Sequence, residues 1–280
     1  MDGKVCLVTG ATSGHGQAVA KALARLGANV IVHGRSEERC RETQHLIAEE
    51  TGREPAVLLC DLSSRDDIDR AASELLNRGQ PLHVLVNNAG GVWQRRTESV
   101  DGSEMTFAVN YLAAFQLTLR LRERIEASAP ARIVNVSSDM HRMVSLDIDD
   151  LDLERRYSWH RAYSHSKLAL LYFTLELARR LWGTGVTVNA VDPGPVRSGI
   201  GRNNGGIASR MLPAVMSLFP PADRACETAV HVATSPSLEG VSGRYFRFMT
   251  DKEPGVRRSE PELGRRLWEL SAERTGVGVS

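Results

Sequence analysis

Val5-Cys6-Leu7-Val8-Thr9-Gly10-Ala11-Thr12-Ser13-Gly14-His15-Gly16 decides the fold of this chain. The run from Val5 to Thr9 predicts a strand buried on both faces. Beyond the glycine-rich stretch, Ala18, Val19, Ala22, Leu23 and Leu26 recur at helical spacing. Strand, glycine turn and helix in that order form a phosphate cradle. The turn allows close backbone approach, and the helix N-terminus faces a pyrophosphate. The contact candidates are Gly10, Thr12, Ser13, Gly14, His15 and Gly16.

The same alternation runs outward from this stretch. Strands read at 30–33, 56–59, 84–87, 133–137, 186–191 and 244–248. Amphipathic helical patterns read at 17–26, 37–51, 65–78, 103–127, 163–182 and 222–234. Ser36 and Ser64 suit N-caps, and Gly27, Gly52 and Gly79 suit stops. Alternating β and α units with right-handed crossovers predict an α/β fold. It is a single Rossmann-type doubly wound parallel sheet of about seven strands with helices on both faces. Residues 1–280 read as one dinucleotide-binding domain without repeats or a linker.

Composition narrows the class. Hydrophobic residues make up 42% of 280, and no apolar run approaches the roughly 20 residues a membrane span needs. Net charge is +1, which implies no nucleic-acid or membrane-surface partner. Met1-Asp2-Gly3 leads toward the first strand with no signal-peptide pattern, so a cytoplasmic protein is expected. Cys6, Cys40, Cys60 and Cys226 lack metal-site spacing, and no metal is expected. Of 35 Lys and Arg residues only Lys4, Lys21, Lys167 and Lys252 are lysines, which marks Lys167 for attention.

Gly34-Arg35 follows the second strand. A carboxylate near there would hold the ribose diol of NAD. Gly34 stands in its place, and the Arg35 guanidinium can pair bidentately with a 2′-phosphate. NADP(H) is therefore expected over NAD(H). Asp61 and Leu62 end the third strand, where the carboxylate can accept from an adenine amino group or cap a helix. Asn88, Ala89 and Gly90, after Asn87, end the fourth strand and allow close backbone approach to the cofactor. Asn87 could brace the adjoining strands.

Four groups in chain order carry the chemistry: the glycine turn, Asn110, Ser138, and Tyr163-Ser164-His165-Ser166-Lys167. A carbonyl-binding hydroxyl, a phenol and an ammonium suit hydride transfer at a carbonyl or an alcohol. With Phe107-Ala108-Val109-Asn110-Tyr111-Leu112, Arg132-Ile133-Val134-Asn135-Val136-Ser137-Ser138 and Ala162-Tyr163-Ser164-His165-Ser166-Lys167-Leu168-Ala169, the chain resembles a single-domain short-chain dehydrogenase/reductase. The resemblance covers residues 3 to 250. It is most similar to the retinol-dehydrogenase-like and WW-domain-oxidoreductase-like branch, whose bacterial relatives include polyketide ketoreductases.

The resemblance implies roles residue by residue. Tyr163 exchanges a proton with the substrate oxygen. Lys167 lowers the phenol's pKa and bonds the nicotinamide ribose. Ser138 orients the carbonyl, with Ser137 as the competing candidate. Asn110 holds a water that links Lys167 to solvent. Pro193, Gly194, Val196 and Ser198 seat the nicotinamide. His15 stands where the family has an aliphatic residue and is expected to pack. Asp192 stands where this branch has His or Asn.

Segment 139–161 and segment 199–221 are where specificity would lie, the second as a lid or a packing helix. Trp93, Met140, His141, Met211 and Val215 are the substrate-contact candidates. The tail, 250–280, is expected to dock through Leu263, Leu267 and Leu270. The long helices suggest a homodimer or homotetramer. The leading expectation is an NADPH-dependent ketoreductase on a hydrophobic, aromatic or polycyclic small molecule, plausibly in secondary metabolism. An alcohol dehydrogenase or aldehyde reductase for lipid or retinoid-like substrates is the alternative, and a non-catalytic dinucleotide sensor a remote one.

Overall fold

The computed structural model describes residues 1–194, 222–255 and 261–278. Of the site candidates, Val196, Ser198, Met211 and Val215 lie outside the described residues, as does segment 199–221.

Among the described residues, eight strands form one sheet: β1 (Val5–Val8), β2 (Asn29–Gly34), β3 (Ala56–Leu59), β4 (Val84–Asn87), β5 (Ala131–Val136), β6 (Val186–Asp192), β7 (Tyr245–Arg247) and β8 (Thr250–Lys252). Their order is β3-β2-β1-β4-β5-β6-β7-β8. All pairings are parallel except β7 with β8. The expectation of about seven strands missed β8. That strand is three polar, exposed residues and shows no apolar period to read.

Alternation along β1 divides its side chains between two cores. Val5 and Leu7 join one, Cys6 and Val8 the other. The first face is covered by α3 (Arg65–Asn77), α5 (Ala113–Glu126), α6 (Trp159–Arg180) and α9 (Pro261–Thr275). The second is covered by α1 (Gly14–Arg25), α2 (Glu37–Thr51), α7 (Ala222–Ala225) and α8 (Glu227–Thr234). Ser36 caps α2 and Ser64 caps α3, each hydroxyl accepting from the amide three residues on. Phe107, Tyr111, Phe115, Phe173 and Trp268 stack in a chain under the first face, with Phe115 and Trp268 centroids 5.1 Å apart. The C-terminal helix α9 docks there: Leu267 and Trp268 are buried, and Tyr111 and Ser271 share a 2.6 Å hydrogen bond.

The chain enters the sheet at β1, runs outward through β2 and β3, and returns to β4 on the other side of β1. That reversal leaves a crevice beyond the carboxyl ends of β1 and β4, where doubly wound sheets take ligands. Among the described residues, no helix is long and apolar enough to cross a membrane.

Candidate active site

A cavity of about 580 Å³ fills that crevice. The glycine turn, the ends of β2 and β3, the β4 turn, Ser138, Tyr163, Lys167 and the Asp192-Pro193-Gly194 turn all border it.

At the cofactor end, the turn after β1 is built around missing side chains. Gly10 has φ +63°, and a Cβ there would lie 2.9 Å from the Ala89 Cα. Its amide donates to His33 Nδ1 at 3.1 Å. Asn88 fastens the turn from below, Nδ2 donating to Thr9 O at 2.8 Å, while its Oδ1 meets His15 Nδ1 at 2.8 Å. His15 is thus a buried brace of the turn, though its ring still borders the cavity.

Gly34 admits no side chain. A Cβ would meet Thr12 Cγ2 at 2.5 Å and Cys40 Sγ at 2.8 Å. A carboxylate for a ribose diol therefore has no room there. Arg35, between the end of β2 and the Ser36 cap of α2, borders the cavity beside it, and Arg39, in the first turn of α2, joins it. Sequence reading missed Arg39, although its place three residues after the Ser36 cap sets it in the first turn of α2, next to the end of β2. Asp61 Oδ1 accepts from the Ser63 amide at 2.9 Å and hydroxyl at 2.8 Å, closing a local turn, and Leu62 lies beside it.

His33 was also missed. It is 2% exposed, and its Nδ1 accepts from Gly10, which puts the ring proton on Nε2. That donor is buried with no protein partner. Burial pushes the ring down to about 4, so it is neutral at physiological pH. A cradle bare of side chains, two guanidinium groups and an orphaned donor fit a phosphorylated dinucleotide.

At the other end, α6 sets Tyr163 and Lys167 one turn apart on one face. Ser138, just past β5, borders the cavity together with Tyr163, and its hydroxyl works against the upward push of burial on the phenol. Ser137 does different work: its hydroxyl donates to Lys167 O at 3.1 Å and pins α6 to β5. Lys167 Nζ is buried, donates to Val136 O at 2.7 Å, and stands 5.6 Å from the Tyr163 ring centre.

The expected lowering of the phenol by Lys167 is not what this geometry gives. Burial dominates both groups. It pushes Tyr163 up to about 12, against the Ser138 hydroxyl, and Lys167 down to about 8, against the pull of Asp192. Asp192 is itself buried and raised by that burial. One of its oxygens accepts from Gly194 N at 2.9 Å, and the other pairs with Arg247 Nε at 3.1 Å.

Asn110 lies in a π turn (Ala108–Leu112) that joins α4 (Met105–Phe107) to α5. Its Oδ1 accepts from Gly91 N at 2.7 Å. Its Nδ2 donates to Gly91 O at 3.1 Å and Ser166 Oγ at 3.0 Å. The side chain thereby positions the β4 turn against α6. Asn87 Nδ2 donates to Thr118 and to Asn135, its register partner on β5.

Among the substrate candidates, Trp93 borders the cavity, with Met105 and Val109 beside it. Met140 and His141 do not border it. His141 is buried, its ring nitrogens 2.7 Å from Ser138 O and 2.6 Å from Pro254 O. It braces the turn that carries Ser138 rather than meeting a substrate. Among the described residues, no cluster of His, Cys, Asp and Glu could hold a metal ion.

Comparison with known proteins agrees with this geometry. The short chain dehydrogenase family model matches residues 4–205. The chain is 38% identical to retinol dehydrogenase 14 of Mus musculus over 99% of its length and 87% of the relative's. It is 40% identical to polyprenol dehydrogenase of Mus musculus over 99% and 85%. It resembles the solved RhlG/NADP active-site complex of Pseudomonas aeruginosa with a TM-score of 0.71 and 27% identity, covering 89% of this chain and 95% of that one. This chain therefore belongs to the short-chain dehydrogenase family, in its retinol-dehydrogenase-like branch, and is an oxidoreductase of the CH–OH/C=O couple.

Proposed function

We propose that this chain is an NADP(H)-dependent reductase for the carbonyl of a hydrophobic, aromatic or polycyclic small molecule, a ketoreductase of secondary metabolism. One observation carries the reading. Ser138, Tyr163 and Lys167 meet at one end of a cavity whose other end holds Arg35 and Arg39 where a carboxylate cannot fit. The nicotinamide supplies the hydride.

The chain's own residues handle the oxygen. The Tyr163 phenol, pushed up to about 12, keeps its proton at neutral pH and donates it to the oxygen as charge develops there. Ser138 donates a second hydrogen bond to that oxygen and fixes its place. Lys167, still mostly charged at neutral pH, offsets the phenolate left behind. A protonated phenol beside a cation favours reduction over oxidation at that pH.

Gly34, Arg35 and Arg39 support the 2′-phosphate form of the cofactor, and the similar Pseudomonas complex holds NADP. Trp93, Met105 and Val109 give the substrate end apolar walls. Retinol and polyprenol, named in the similar proteins, are apolar alcohols, which supports an apolar substrate.

The test is NADPH consumption by purified protein against aldehydes, alkyl ketones, aromatic polyketide ketones and quinones, with NADH as control. Tyr163→Phe should keep NADPH affinity and lose about 10²–10⁴-fold in turnover. Wild-type turnover in that variant would remove Tyr163 from the reaction.

A further inference from the structure

The β7–β8 hairpin closes through the pair Arg247 and Thr250, which leaves Phe248 and Met249 as its whole turn. Both are left-handed, at φ +51° and +58°. Two-residue turns with positive φ at both positions favour Asn-Gly, and bulky side chains are disfavoured there. Packing does not account for the choice, since Phe248 is 62% exposed and Met249 48%. Strained backbone carrying unburied apolar side chains is the pattern of a functional tip rather than a structural one.

The tip is held against the reaction end of the cavity. The Phe248 ring lies on Gly194, where a Cβ would be 3.3 Å from its Cε1. Gly194 and Asp192 border the cavity. Arg247 pairs with Asp192 and with Asp139, the residue after Ser138, and its guanidinium stacks 5.0 Å over the Phe248 ring. Behind the hairpin, Pro254 O meets His141 and Glu253 O accepts from Arg142. Hairpin, Ser138 turn and nicotinamide turn are therefore bound to one another, and the ring is packed on Gly194 at the rim of the cavity, outside the residues that line it.

We propose that Phe248, with Met249 beside it, is a specificity-determining wall for the part of an apolar substrate that extends past the reacting carbon. The proposal rests on the reductase reading above and adds a place for the substrate's apolar body. Its occupant is the substrate chain, not a second copy of this protein.

The test compares wild type with Phe248→Asn/Met249→Gly, a pair that suits the turn. The variant should unfold at a higher temperature, because the strain is relieved. Its selectivity for dodecanal over butanal, as a ratio of kcat/KM values, should fall roughly ten-fold through KM, the scale of a lost apolar contact. Phe248→Tyr should restore it. NADPH affinity, read by protein fluorescence, should hold. In parallel, calorimetry measures dodecanol binding to each protein loaded with NADP⁺. Unchanged selectivity with unchanged dodecanol affinity overturns the proposal, as does a loss of self-association with kinetics unaltered. If wild type turns over neither aldehyde, the reductase reading fails separately. The calorimetry then still decides: weaker dodecanol binding in the variant supports the wall, and equal binding or none to wild type overturns it.

Discussion

Raising the pH should switch off carbonyl reduction through Lys167. The perturbation is a pH series from about 6 to 10 on wild type, with Asp192→Asn beside it. Burial puts the Lys167 ammonium at about 8. With that value roughly 90% of it is charged at pH 7 and roughly 9% at pH 9, a fall of about ten-fold in the competent form. The sign follows from the roles. Reduction needs the phenol protonated and the lysine charged. The phenol holds its proton to about 12, so the lysine sets the limb. Asp192 is the charge that raises Lys167, and Asp192→Asn should move the limb to lower pH. The assay is the initial rate of NADPH oxidation at saturating substrate, normalised to active protein. A limb that stays put in Asp192→Asn, or no limb below pH 10, would refute the reasoning.

Four further outcomes follow from the same geometry. Arg35→Asp should weaken NADPH by about ten- to a hundred-fold, the range of a lost charge-assisted pair, and spare NADH; equal loss of both cofactors in titrations would count against it. Gly34→Asp should fail to install NADH preference, because its Cβ meets Thr12 and Cys40. His33 and His165 are buried and pushed down to about 4, from 6.5 in the unfolded chain. Their stabilisation is present above pH 6.5 and lost as pH falls toward 4, at about 1.4 kcal/mol per pH unit each; a urea midpoint that stays flat across that window would contradict this. Trp268→Ala, which empties the aromatic stack under α9, should lower stability by about 3–5 kcal/mol in chemical unfolding.

The residues from Val5 to Gly16 by themselves determined the kind of fold and the place of the phosphate cradle. Periods and turn signals are local, so seven strands, the caps at Ser36 and Ser64, and the Tyr163–Lys167 spacing could all be read along the chain. Which atoms meet across the fold is not a local property. Only tertiary structure turned His141 away from the cavity and onto two carbonyls, and committed Asn110 to Gly91 and Ser166. It also brought β8, a strand with no apolar period, back onto β7, and set Phe248 on Gly194 across more than fifty residues of chain. The pKa order of the Tyr163–Lys167 pair was decided the same way. Spacing fixes their separation, but burial fixes the direction of each shift, and burial is set by what the rest of the molecule packs around them.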